Sequence, residues 1–157
     1  MIKILFVCMG NICRSPTAHA VMQNKITEQG LSKRVMVDSA GTHAYHVNEQ
    51  PDSRARALAR SKNIDMETIR ARKIGINDYD EFDYILAMDD DNLELLSYYA
   101  PENYSAKLGL FLAFANLNGL KETVVPDPYY GGDQGFAQVF DLVDQGCDAV
   151  LTHVLQV

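Results

Sequence analysis

Residues 2–16 read Ile2-Lys3-Ile4-Leu5-Phe6-Val7-Cys8-Met9-Gly10-Asn11-Ile12-Cys13-Arg14-Ser15-Pro16, and their character changes twice. Ile2 to Cys8 is an apolar run of strand length, the pattern of a central parallel strand buried on both faces. Ser15-Pro16 reads as a helix start, with Ser as N-cap and Pro at the first helical position. Ala18, Val21, Met22 and Ile26 follow at helical spacing, and Gly30 suits the C-terminal stop. A buried strand therefore runs through a short loop directly into a helix N-terminus.

The same alternation continues outward. Val35-Met36-Val37 is a short strand ending in Asp38-Ser39-Ala40-Gly41-Thr42, and a polar loop follows through His43, Tyr45, His46 and Asn48. Asp52 to Lys62 reads as a helix, and Phe82 to Met88 as a third strand. Asp89-Asp90-Asp91-Asn92 opens an acidic helix start that complements the helix dipole. Lys107 to Phe114 holds a fourth strand. A loop, Val125-Pro126-Asp127-Pro128-Tyr129-Tyr130-Gly131-Gly132-Asp133, leads to a closing helix. That helix carries the apolar stripe Phe136, Val139, Phe140, Val143, Cys147, Val150, Leu151 and Val154. Alternating strand and helix implies an α/β open sheet with right-handed crossovers, spanning 1–157 as a single domain. Such sheets bind ligands beyond the carboxyl ends of their strands, where Cys8 lies.

Composition narrows the function. The 157 residues carry a net charge of -7, which disfavours nucleic acid and anionic membrane as partners. An anion site in such a chain must be built locally, from oriented amides and a placed arginine. Three cysteines do not make a disulfide framework. The apolar start is too short for a signal peptide, so a cytoplasmic chain is expected.

Cys8 to Ser15 has the length to wrap one tetrahedral anion. Its backbone N–H groups would form a nest reinforced by the positive end of the helix dipole. Gly10 and Asn11 are residue types that tolerate the positive φ a nest needs. Met9, Ile12, Cys13 and Ser15 complete the expected phosphate-binding loop, and Arg14 offers a planar fork for two phosphate oxygens. The same field lowers the pKa of a thiol at Cys8 and makes it a thiolate, with a hydrogen bond from Ser15. A thiolate inside an anion cradle suggests attack on bound phosphate through a phosphocysteine. The simpler reading is a core cysteine at a strand end beside a surface arginine; the flanking strand and helix start weigh against it.

Cys8 to Pro16 resembles the signature of the low-molecular-weight protein tyrosine phosphatases. The resemblance extends through Asp38 to Thr42, Phe82-Asp83-Tyr84-Ile85-Leu86-Ala87-Met88-Asp89 and Pro126-Asp127-Pro128-Tyr129-Tyr130-Gly131-Gly132, and the short N-terminus suggests the bacterial branch. It implies an open four-stranded parallel sheet with helices on both faces, of flavodoxin-like, phosphotyrosine phosphatase I type. It implies Cys8 as nucleophile and Arg14 as phosphate clamp, with neither cofactor nor metal. Asn11, Ser15 and Ser39 would hold the loop in shape. It implies Cys13 as a redox partner of Cys8, protecting it from overoxidation. Cys147 reads as core.

Among 21 acidic residues, Asp127 stands out because Pro126 and Pro128 stiffen its loop, yet on the residues alone a plain Asp-Pro turn is the favoured reading. The resemblance makes Asp127 the general acid that protonates the leaving phenolate, and implies a mildly acidic pH optimum. Ile12, Tyr45, Tyr129 and Tyr130 are the expected substrate walls. In the resembled family a His usually precedes an Arg-Ala-Arg-like stretch; here Ile69 stands before Arg70-Ala71-Arg72. That departure leaves the network incomplete or completed by another group. His19, His43, His46 and His153 show no ligand spacing and read as surface or internally satisfied.

The expected function is hydrolysis of phosphotyrosine on a protein substrate, a bacterial tyrosine kinase being one candidate, by a monomer or weak dimer. Arsenate reductase shares the resembled loop but needs downstream cysteines, absent from Phe82 to Asn92. Phosphoarginine phosphatases carry Thr at the position of Ile12. A phosphate-binding module without catalysis would not need Cys8, Arg14 and Asp127 together.

Overall fold

The computed structural model describes residues 1–115, 119, 122–128 and 131–156. Four parallel strands form one sheet in the order β2-β1-β3-β4. They are β1 (Ile2–Cys8), β2 (Val35–Gly41), β3 (Tyr84–Ala87) and β4 (Lys107–Leu110). β1 pairs with β2 from Ile2↔Val35 to Cys8↔Gly41, and with β3 from Ile4↔Tyr84 to Val7↔Ala87. The chain order reverses about β1, so the carboxyl ends of β1 and β3 flank the switch point where such sheets bind ligands.

The sheet is covered on both sides. Ile4, Phe6 and Cys8 face one apolar cluster, and Leu5 and Val7 face the other. Helices α1 (Arg14–Glu28), α2 (Ser53–Ser61), α5 (Phe111–Ala115) and α6 (Gly132–Leu155) supply residues to the first cluster. Helices α3 (Asp78–Glu81) and α4 (Asp90–Tyr99) supply Tyr79 and Leu96 to the second. Burial on both faces explains why β1 reads as continuous apolar rather than alternating sequence.

Two helix ends follow their local chemistry. α1 stops at Gly30, whose φ of 68° suits a residue without a side chain. Its N–H donates to the Thr27 carbonyl, and that of Leu31 to the Ile26 carbonyl, in a Schellman-type closure. α4 is capped by Asp89, whose carboxylate accepts from the Asn92 N–H at 2.9 Å.

Three expectations change. α1 begins at Arg14, one residue before the expected N-cap, and Cys13 occupies the cap position without a side-chain cap bond. Ser15 therefore lies inside the first turn, where its hydroxyl is released from capping. The fourth strand ends at Leu110, because Phe111–Ala115 coils into α5. α3 was not expected: its Asp-rich sequence carries no apolar stripe, and it is too short to show a period. No helix among the described residues is long and apolar enough to cross a membrane.

Candidate active site

The loop between β1 and α1 is shaped by what its carbonyls do. The Cys8 and Met9 carbonyls accept from the N–H groups of Thr42 and His43, at 2.9 and 3.1 Å. The Ile12 carbonyl accepts from the Asp52 N–H at 2.7 Å, and the Cys13 carbonyl from the Thr17 N–H and hydroxyl. In a trans peptide the N–H points opposite to the carbonyl. Engaging these carbonyls turns the N–H groups of Met9, Gly10, Cys13 and Arg14 the other way, as an anion nest requires. Gly41 permits the approach: a Cβ there would sit 2.8 Å from the Met9 carbonyl oxygen.

Asn11 supplies the turn. Its φ of 57° is left-handed, and its N–H donates to Cys8 Sγ at 3.3 Å. Of the pair expected to tolerate positive φ, only Asn11 uses it; Gly10 instead makes room for the His46 ring, 3.2 Å from where its Cβ would be.

The buried Ser15 hydroxyl lies 3.0 Å from Cys8 Sγ. Asn11 Oδ1 accepts from the Arg72 N–H at 3.0 Å, which orients the amide so that Nδ2 donates to Ser15 Oγ at 2.8 Å. The single hydroxyl proton of Ser15 then has two acceptors in reach, the Cys8 sulfur at 3.0 Å and the Ala40 carbonyl at 3.4 Å, and a thiolate at Cys8 would be the stronger of them.

Arg14 is buried, and its guanidinium donates to Asp89 at 2.6 Å and to the Val125 carbonyl at 3.1 Å. Burial opposes its charge, but Cys8, Asp89 and Asp127 together hold its pKa above the ordinary value. Asp89 was not singled out from the sequence. Its position at a strand end, preceding a helix, resembles an ordinary N-cap, and it serves as one too. The Val125 N–H donates to the Met88 carbonyl at 2.8 Å, tying the Asp127 loop to the end of β3.

These elements enclose a cavity of about 230 Å³. Cys8, Arg14 and Asp127 line it together with Met9, Gly10, Ile12 and Cys13, and Tyr45 and His46 form part of its wall. Tyr45 is exposed and stacks on His43 with ring centroids 5.1 Å apart. His46 is partly exposed and satisfied, as expected, with Nδ1 bonded to Glu49 at 2.5 Å, and it also lines the cavity. Tyr129 and Tyr130 lie outside the described residues.

The cysteines differ in environment. Burial, reinforced by Asp52, Cys8 and Asp127, pushes the Cys13 thiol up to about 12. Burial also raises Cys147, which lies in the core.

Ser39 does not touch the loop through any side-chain bond; its hydroxyl meets His19 Nδ1 at 2.9 Å. Ile69 is buried in the apolar core and cannot serve as a polar link. The polar path beneath the loop instead runs through Arg72, whose guanidinium donates to Asp38 and Asp78. Burial pushes the His19 imidazole below its ordinary value, Asp38 opposing this and Arg72 adding to it.

A family model described as low molecular weight phosphotyrosine protein phosphatase matches residues 3–156. A low molecular weight phosphotyrosine protein phosphatase of Schizosaccharomyces pombe is 43% identical over 145 residues, covering 91% of both chains. The crystal structure of a protein tyrosine phosphatase from Entamoeba histolytica, with Hepes in its active site, superposes with a TM-score of 0.91 at 41% identity. That match covers 99% of this chain and 98% of the other. A Drosophila arginine phosphatase superposes with a TM-score of 0.89 at 32% identity, covering 98% of each chain. The strand–loop–helix signature is thus accompanied by likeness along nearly its whole length: this chain belongs to the low molecular weight phosphotyrosine protein phosphatase family.

Proposed function

We propose that this protein hydrolyses phosphotyrosine on protein substrates through a phosphocysteine formed on Cys8. The observation that carries the reading is the convergence of Cys8, Arg14 and Asp127 on one cavity, with the Asn11 N–H and the Ser15 hydroxyl both in hydrogen-bond contact with the Cys8 sulfur.

The reaction divides into two displacements. Cys8 Sγ attacks phosphorus while the bond to the tyrosine oxygen breaks, and the Asp127 carboxyl delivers its proton to that oxygen. Arg14 and the loop N–H groups stabilise the equatorial oxygens, where charge concentrates during transfer. The Asp127 carboxylate then takes a proton from water, whose oxygen attacks phosphorus. The S–P bond breaks, inorganic phosphate leaves, and Asp127 is again protonated. The Ser15 hydroxyl supports the sulfur when it departs in the second step. Cys13, kept protonated by burial, does not compete as nucleophile.

Ile12 and the exposed Tyr45 ring offer apolar surface to an aryl group, which favours phosphotyrosine over phosphoarginine. Arginine phosphatase activity in a structural relative makes phosphoarginine the comparison substrate. The enzyme is expected to hydrolyse p-nitrophenyl phosphate in the presence of a chelator and to be inhibited by vanadate. It should prefer a phosphotyrosine peptide over a phosphoarginine peptide. Full activity in Cys8→Ser would sink the mechanism, and a preference for phosphoarginine would replace the substrate assignment. Substrate trapping with Asp127→Ala, in lysate of the native host, would test whether a tyrosine kinase is among the partners.

A further inference from the structure

His19 is a largely buried titratable residue that the mechanism above does not use. It sits on α1 one turn beyond Ser15, with its side chain only 18% exposed. The two residues occupy the same helix face, i and i+4, and both meet the same strand. Ser15 Oγ approaches the Ala40 carbonyl at 3.4 Å, and His19 Nδ1 meets Ser39 Oγ at 2.9 Å. Ser39 in turn donates its N–H to Asp38 Oδ1 at 2.8 Å. Asp38 Oδ2 accepts from the Arg72 guanidinium at 3.1 Å, and the Arg72 backbone N–H donates to Asn11 Oδ1 at 3.0 Å. Asn11 Nδ2 returns the path to Ser15. The contacts form a closed ring beneath the phosphate loop, made of α1, β2, the segment before α3 and the loop itself.

We propose that His19 is a positioning residue for the nucleophile: its contact with Ser39 fixes α1 against β2 so that the Ser15 hydroxyl stays aimed at Cys8. Ile69, aliphatic and buried in the apolar core, offers no polar group, which leaves this task to His19. Either imidazole tautomer makes the contact, since the serine hydroxyl both donates and accepts. Asp38 on β2 and the Arg72 guanidinium are the charged groups that face the ring. Their opposed signs offset one another there. The inference rests on the assignment of Cys8 as nucleophile.

The test compares His19→Phe, which keeps ring volume without nitrogen, with His19→Asn, whose amide falls near Nδ1. Ser39→Ala removes the partner. His19→Phe and Ser39→Ala should each lower kcat about tenfold, as misaimed catalytic groups do, with KM changing less than about twofold. The double variant should be no worse than either single one. His19→Asn should recover kcat to within about threefold of the wild type. Iodoacetate should alkylate Cys8 more slowly in His19→Phe than in His19→Asn, whereas mere loosening of the fold would speed alkylation of all the cysteines. Wild-type kcat and alkylation in His19→Phe would overturn the proposal, as would equal impairment of the Phe and Asn variants. Should His19→Phe fail to fold, Ser39→Ala gives the same reading. A wild-type protein inert toward aryl phosphates would refute the assigned function, and the alkylation rates would still decide the role of His19.

Discussion

At the scale of single residues, the site depends on who holds Arg14. Its guanidinium is shared between the Asp89 carboxylate and the Val125 carbonyl, which fixes the fork before any phosphate arrives. Asp89 also caps α4, and these roles separate experimentally because Asn caps as well as Asp. Asp89→Asn should lower kcat/KM for aryl phosphates about tenfold while the melting temperature barely moves. A large loss of stability with unchanged activity would show that the cap alone matters. Cys8, Arg14 and Ser15 were legible from the sequence because strand, spacing and helix start constrain one another. The contacts of Ser15 were only half legible. Ser before Pro signals a cap, but the helix starts one residue earlier and the hydroxyl turns to sulfur and Asn11 instead. Asp89 and His19 were not legible as site residues, because their partners are 75 and 20 residues away.

At the scale of elements, the loop is held by its neighbours as much as by its own sequence. The end of β2 and its continuation donate to the Cys8 and Met9 carbonyls, and this needs the bare backbone of Gly41. Gly41→Ala would press a methyl group against the Met9 carbonyl. Phosphate affinity should fall markedly, measured by protection of Cys8 from alkylation; unchanged protection would mean the loop can yield there. The start of α2 holds the other side. The Asp52 N–H donates to the Ile12 carbonyl, and its carboxylate accepts from the Arg54 N–H at 2.8 Å. Burial tends to raise the Asp52 pKa, but the Arg54 side-chain and backbone hydrogen bonds win and hold it below the ordinary 3.8. A depressed folded-state value contributes stability that is present above the unfolded value and lost as pH falls through the folded one. Asp52→Ala should therefore cost about 1 kcal/mol at neutral pH. In urea titrations the gap to wild type should close as pH drops below 3.8 and persist at higher pH; a gap independent of pH would assign the loss to something other than the charged cap. The long helices α1 and α6 were legible from their apolar spacing. α3 and α5 were not, because helices of four and five residues are too short to show a period.

At the scale of the whole molecule, an acidic chain brings a buried arginine and a helix start together at one cavity. The net charge is -7, yet Arg14 and the start of α1 face a single cavity at the switch point of the sheet. The open α/β architecture was legible because the strands come singly between helices, although the sheet order rests on pairing that sequence periodicity does not report. The three cysteines follow the same division between site and core. Cys8 and Cys13 are both buried at the cavity and Cys147 lies in the core; burial raises the thiols of Cys13 and Cys147, while the Ser15 hydroxyl and the Asn11 N–H contact the Cys8 sulfur. Native-state labelling with iodoacetate at neutral pH should therefore modify Cys8 first and spare the other two, with mass spectrometry locating the adduct. Equal labelling of Cys13 would contradict the environments described.

Passage of phosphate through the Cys8 sulfur can be caught by rapid acid quench of the Asp127→Ala protein mixed with p-nitrophenyl phosphate, followed by peptide mass spectrometry. One phosphoryl group is expected on the peptide containing Cys8, released as inorganic phosphate on longer incubation and absent from Cys8→Ser. Turnover of the substrate with no phosphorylated Cys8 at any quench time, or the same phosphopeptide in Cys8→Ser, would contradict it.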